Sequence, residues 1–197
     1  MANEGPAVVQ SDGTILVEVE HPEYEVARDS LMRFSDLVKS PEYIHTFRLS
    51  QLSLWNAAAV GLTAEEVIDS LSHLSRYPVP QNTVAFIKDT MSKFGLLRIT
   101  REDGKLVLTC ADPFVFAEIT SSDKVRPFIR EVLSSDSLAL DPMSRGSFKQ
   151  TLIRMGYPCE DLAGYVEGDP LEVALRDRTT QGKPFALRPY QQAAVDA

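Results

Sequence analysis

Residues 51–109 read QLSLWNAAAVGLTAEEVIDSLSHLSRYPVPQNTVAFIKDTMSKFGLLRITREDGKLVLT. Leu52, Trp55 and Ala58 or Ala59 recur at helical spacing, and Gly61 stops the run. Thr63 and Glu66 then stand three apart, a capping box in which each side chain takes the other's backbone N–H. The helix it opens presents Val67 or Ile68, Leu71 and Leu74 on one side. Tyr77-Pro78-Val79-Pro80 breaks the chain. A third helix follows, with Val84, Ile87, Met91 and Phe94 as its stripe and Gly95 as its close. Leu97 and Ile99 alternate with Arg98 and Thr100, Asp103-Gly104 turns, and Lys105 to Thr109 returns. Three helices followed by a two-stranded hairpin is the order of a winged helix, so residues 51–110 are expected to form a winged-helix-like unit.

Upstream, Val8-Val9-Gln10 and Thr14 to Val19 flank Asp12-Gly13, a hairpin signal because Gly tolerates positive φ. His21-Pro22 opens a helix whose stripe is Ala27, Leu31, Phe34 and Leu37 or Val38, ending at Ser40-Pro41. Tyr43 to Leu49 alternates as a strand. Residues 7–50 thus predict a small hairpin–helix–strand unit of βαβ type. Downstream, Asp112-Pro113 starts a short helix through Ile119, and Thr120 to Asp123 marks a boundary. Val125 to Leu133 reads as strand or helix, with Pro127 against a central strand. Ser137 to Leu140 is strand-like. Ser144 or Ser147 caps a helix carrying Phe148, Leu152 and Met155. Glu167 to Pro184 is a polar connector.

The fold class expected is α+β. Twenty Lys and Arg against 28 Asp and Glu give a net charge of −8, mildly against indiscriminate DNA binding. The charge is uneven. Residues 1–46 hold nine acids and three bases, whereas residues 124–157 hold six bases and three acids. No apolar run reaches the roughly 18 residues of a membrane span, and the N-terminus lacks the pattern of a secretory signal. Cys110 and Cys159 have no neighbouring ligand residues, so neither a zinc motif nor a disulfide framework is indicated. The cytoplasm is the expected location, with no membrane partner and no metal site.

Three stretches and a terminal motif resemble a known family: VVQSDGTILVEVEHPEYEVARDSLMRFSDL (8–37), IHTFRLSQLSLWNAAAVGLTAEEVIDSLSHLSRYPVPQNTVAFIKDTMSKFGLL (44–97), FKQTLIRMGYPCEDLAGY (148–165) and LRPYQ (187–191). Together they are similar to the N-terminal region of bacterial XPB-type DNA repair helicases of superfamily 2, which have a relative in the eukaryotic factor TFIIH. The resemblance implies an N-terminal domain over 7–119, a small α/β damage-recognition-like module over 124–173, and a linker leading into the motor over 174–197. It implies a 3′-to-5′ ATP-dependent helicase of nucleotide-excision repair, using ATP and Mg in the full-length protein. Its partners would be single-stranded or damaged duplex DNA, the motor of the same chain, and a repair nuclease or other repair protein. Leu-Arg-Pro-Tyr-Gln matches the stretch preceding a superfamily 2 phosphate loop, so Arg188 and Gln191 would contact the adenine of ATP in the intact protein. No Gly-x-x-x-x-Gly-Lys-Ser/Thr occurs in the sequence. No catalytic residue is therefore assigned, no cofactor is expected on these residues alone, and an accessory role is expected in which DNA is positioned and the motor regulated. The alternative is a protein-interaction module.

The DNA-contact candidates fall in two sets. Lys88 and Lys93 lie on the third helix, with Arg98, Arg101 and Lys105 on the hairpin, where a winged helix meets groove and backbone. Arg145 and Lys149 share a helix face four residues apart, with Arg154 further along. Tyr157 or Phe148 offers a ring to an unpaired base, although Phe148 fits a core better. His21, His45 and His73 have no carboxylate at catalytic spacing and read as structural.

Overall fold

The hairpin at Asp12-Gly13 forms as expected. β1 (Ala7–Val9) pairs antiparallel with β2 (Thr14–Glu18), and Gly13 takes φ 81° at the turn. Asp12 holds the turn by accepting from the Thr14 backbone N–H (2.9 Å) and hydroxyl (3.0 Å). Those two bonds, the backbone one foremost, keep its carboxyl below the ordinary aspartate range. These coordinates come from a computed structural model, which describes residues 4–164 and 176–196. They fall in two compact units dividing after Gly164.

In the first unit, β3 (Asp36–Lys39) and β4 (Ile44–Arg48) complete an antiparallel sheet of order β1-β2-β4-β3. The first helix, α1 (Tyr24–Leu31), is shorter than its sequence stripe predicts. The chain turns at residues 32–35, where the Ser35 hydroxyl and N–H both donate to the Leu31 carbonyl (2.7 and 2.9 Å). Phe34 is buried by that turn, while Leu37 and Val38, expected on the helix, sit on the exposed edge strand β3. Strand pairing of Leu37 with Phe47 takes up backbone groups that a longer helix would have satisfied internally.

Three helices follow as expected: α2 (Gln51–Ala59), α3 (Ala64–Leu74) and α4 (Gln81–Ser92). Ser50 with Ser53, and Thr63 with Glu66, form the N-terminal capping boxes of α2 and α3. Leu52 faces solvent. Trp55 is buried as its spacing predicts, together with Leu54 and Ala57, and its indole donates to the Thr90 carbonyl of α4 at 2.9 Å. Leu54, Ala57, Val67, Leu71, Ile87 and Met91 share one core with Ala27 and Leu31 of α1 and with Ile15, Val17 and Phe47 of the sheet.

The hairpin of β5 (Leu97–Glu102) and β6 (Lys105–Cys110) also forms, turning through Asp103 and Gly104, both at positive φ. Its buried residues pack in a core separate from that of α2 to α4. The hairpin lies inside a second sheet of order β7-β8-β6-β5-β9, built with β7 (Ile129–Val132), β8 (Ser137–Leu140) and β9 (Cys159–Asp161). β9 runs parallel to β5, and the other pairs are antiparallel. α5 (Pro113–Ser121) and α6 (Arg145–Arg154) cover one face. Leu97, Ile99, Leu106, Leu108, Phe116, Ile119, Leu138, Leu140, Phe148 and Leu152 form this second core. It runs across the boundary expected at 120–123, because β8 and α6, which follow that boundary, respectively pair with β6 and pack on its buried face. Pro127 sits in a 3-10 turn (Arg126–Phe128) just before β7, so the strand begins after it.

The second unit is described from Arg176. Arg178 bridges to Pro184 across a turn, and α7 (Pro189–Val195) follows. The first half of the connector expected over 167–184, and the end of the module expected over 124–173, lie outside the described residues. Among the described residues no helix is long and apolar enough to cross a membrane.

Candidate nucleic-acid interface

Six of the eight cations expected at DNA are engaged by carboxylates. On α4, Lys88 stands 3.9 Å from Glu65 and Lys93 2.9 Å from Asp89. On the hairpin, Arg98 reaches Glu160 of β9 at 2.7 Å, and Lys105 reaches Glu131 of β7 at 3.4 Å. Alternation puts Arg98, Glu160, Lys105 and Glu131 on the sheet face opposite α5 and α6, around Val107 and Ala139. Glu102 joins them by accepting from the Thr100 hydroxyl at 2.9 Å. That face therefore carries matched charge rather than a cationic stripe.

Arg145 and Lys149 do share a face of α6, as their spacing predicts, but the face turns inward to Asp161. The Arg145 guanidinium grips both carboxylate oxygens, and Lys149 Nζ donates to Oδ2 at 2.9 Å. The Asp161 side chain is 11% exposed, against 21% for Arg145 and 36% for Lys149. Burial alone would raise its carboxyl. Hydrogen bonds from Arg145 and Lys149 outweigh burial and hold it at about 2. This is a packed cation–carboxylate–cation cluster that fastens β9 to α6. Nothing in the local sequence marks Asp161 as its centre; only the parallel pairing of β9 with β5 brings it there.

Arg101 at the end of β5 and Arg154 at the end of α6 are exposed and carry no ion pair among the described residues. Phe148 is fully buried, edge-on to Phe128 with centroids 5.9 Å apart, and offers no ring to a base. Tyr157 is fixed differently. Its hydroxyl donates to Glu118 at 2.7 Å and the Lys93 ammonium lies 5.8 Å from its ring centroid. The Glu118 bond, then burial, pushes the phenol up to about 12. Tyr157 thereby joins α4 and α5, a role its sequence position does not announce. His21 and His45 are structural as expected: His21 Nδ1 accepts from the Glu23 N–H at 3.1 Å, and His45 Nδ1 lies 2.6 Å from the Tyr24 hydroxyl. Both cysteines are free thiols, and burial pushes Cys159 up to about 12.

In the second unit, Arg188 and Gln191 meet at the start of α7. Gln191 Oε1 accepts from the Arg188 backbone N–H at 3.0 Å.

Comparison with known proteins now bears on this geometry. The family described as helicase conserved C-terminal domain matches residues 7–134. The chain belongs to this helicase family. Its similarity to the DNA 3′-5′ helicase XPB of Kineococcus radiotolerans is 41% identity over 194 residues, 98% of this chain and 34% of that protein. To the DNA 3′-5′ helicase XPB of Mycobacterium tuberculosis it is 39% identical over 195 residues, 98% of this chain and 35% of the relative. The general transcription and DNA repair factor IIH helicase/translocase subunit XPB/SSL2 of Saccharomyces cerevisiae shares 29% over 128 residues, 65% of this chain and 14% of the relative. The chain is thus an XPB-type helicase region, and it spans about a third of the length of its bacterial relatives. The family match runs from the first sheet through both strands of the hairpin and ends at residue 134, before β8.

Proposed function

We propose that this XPB-type region is a non-catalytic, N-terminal accessory part of an ATP-dependent 3′-5′ DNA helicase of nucleotide-excision repair, which positions DNA and regulates the motor. The observation that carries the reading is the match of nearly the whole chain to about a third of two proteins named DNA 3′-5′ helicase XPB. ATP and Mg would serve the full-length protein, with Arg188 and Gln191 at the adenine, in the cytoplasm. The module at 124–173 would meet single-stranded or damaged duplex DNA together with the hairpin tip.

Within the DNA surface, Arg101 and Arg154 lead, because no carboxylate among the described residues pairs with them. Lys88, Lys93, Arg98 and Lys105 follow. Arg145 and Lys149 come last, since a phosphate would have to displace Asp161. The test is fluorescence anisotropy of single-stranded and duplex DNA with this chain across a salt series. Arg101→Glu with Arg154→Glu should weaken binding and lower the salt slope by about two, one for each lost phosphate contact. Unchanged affinity and slope, or no binding at low salt, would overturn the DNA role. ATP turnover by this chain would overturn the non-catalytic role. A second reading, a protein-interaction module for the motor or a repair partner, is favoured by a different feature, the open face of the first sheet.

A further inference from the structure

One face of the four-stranded sheet carries Ile15, Val17 and Phe47 into the core. Strand alternation should make the other face polar. Instead Val8, Leu16 and Ile44, with Pro6 and Tyr43, line an open cavity of about 440 Å3 there. Val8 lies opposite Leu16, and Ile44 lies opposite Glu18, two residues along β2 on the same face, so the three apolar residues adjoin. Ile44 is 47% and Tyr43 60% exposed. These apolar residues stand on a face that strand alternation should leave polar, with no element of the described chain covering them.

The rim is acidic. Glu18, Glu20 and Arg76 close the cavity. Arg76 is occupied by Glu18 at 2.9 Å, while Glu20 has no ion pair among the described residues. We propose that this face docks a segment of a partner protein bearing apolar side chains flanked by Lys or Arg. The apolar floor takes the side chains, and Glu20 meets the cation. Docking is through side chains, because the edge of β1 is already taken: Ala7 pairs with Ser75, and its carbonyl accepts from the Arg76 N–H at 2.7 Å. A nucleic-acid phosphate would face the uncompensated carboxylate of Glu20. A second copy bound about a twofold axis would set the same acids against each other.

The test uses the 197-residue chain and a peptide with Leu-Tyr-Leu between paired lysines, beside a counterpart with paired glutamates. Methyl NMR should show the lysine peptide shifting Val8, Leu16 and Ile44. Its affinity should fall roughly tenfold in Ile44→Ser and again in Glu20→Lys. Ile44 and Glu20 are both exposed, so the variants should keep the parent's thermal unfolding; if Ile44→Ser does not, Glu20→Lys alone decides. The proposal is overturned if neither peptide moves those methyls, or if the glutamate peptide binds as well. It is equally overturned if sedimentation shows a dimer that Ile44→Ser abolishes.

Discussion

Replacing Asp161 with Asn removes the charge at the centre of the α6–β9 cluster while keeping its shape. Its magnitude follows from the carboxyl itself, which moves from an ordinary 3.8 to about 2 in the folded chain. Nearly two pH units at about 1.4 kcal/mol each is about 2 kcal/mol of stability at neutral pH. Because the folded value is depressed, that stability is present above the unfolded value and lost as pH falls through the folded one. About half should remain at pH 3 and little at pH 2. Arg145 and Lys149 would also be left without their carboxylate, Arg145 only 21% exposed. Stranding cations raises the cost of Asp161→Asn to about 2–4 kcal/mol, less than a fully buried pair because Lys149 still reaches water. Urea titration followed by circular dichroism should therefore show the midpoint falling by about 1–2 M at pH 7. The gap between variant and parent should narrow progressively from pH 4 to pH 2. Equal midpoints at pH 7, or a gap that persists undiminished at pH 2, would refute the reasoning.

Two further outcomes test the packing. A Cβ on Gly5 would lie 2.2 Å from the Leu74 carbonyl oxygen, where backbone cannot yield, so Gly5→Ala should cost about 1–3 kcal/mol in thermal unfolding; an unshifted midpoint would show that the strand start is free to move. Glu118→Gln takes away the carboxylate that favours the protonated Tyr157 phenol, so phenolate absorbance should develop at lower pH than in the parent, and an unchanged titration would remove Glu118 as the cause.

What was legible in the sequence was what neighbouring residues decide between themselves. Asp12-Gly13 turns because its glycine takes left-handed backbone, and Asp103-Gly104 because both residues do. Thr63 and Glu66 cap α3 because their atoms meet within one helical turn. Leu37 and Val38 were ambiguous by nature: their position continues the α1 stripe, yet β-branched Val38 suits a strand equally, and pairing with β4 decided it. The hairpin was visible, but not its sheet. Nothing near Leu97 records that β9, some sixty residues later, will lie parallel to it. The candidate site suffered most, since spacing put Arg145 and Lys149 on one face but could not say that Asp161 occupies it. For Tyr157 the same held: Lys93 and Glu118 come from separate elements.

Those partners change what positive charge means here. Each of Arg98, Lys105, Arg145 and Lys149 pairs with an acid on another strand or helix, so the bases of the second sheet help to assemble it. Assembly and DNA contact are not equally exclusive, however. Arg98 and Lys105 are 57% and 60% exposed, and an exposed pair is worth no more than about 1 kcal/mol. Exchanging Glu160 or Glu131 for a phosphate would cost little, and both cations could turn to DNA without loosening the sheet. Arg145 and Lys149 hold a carboxylate that is nearly buried, and drawing them away would strand it. A DNA path over this region should thus follow the hairpin tip and the end of α6, through Arg101, Lys105 and Arg154, and pass by the first turns of α6.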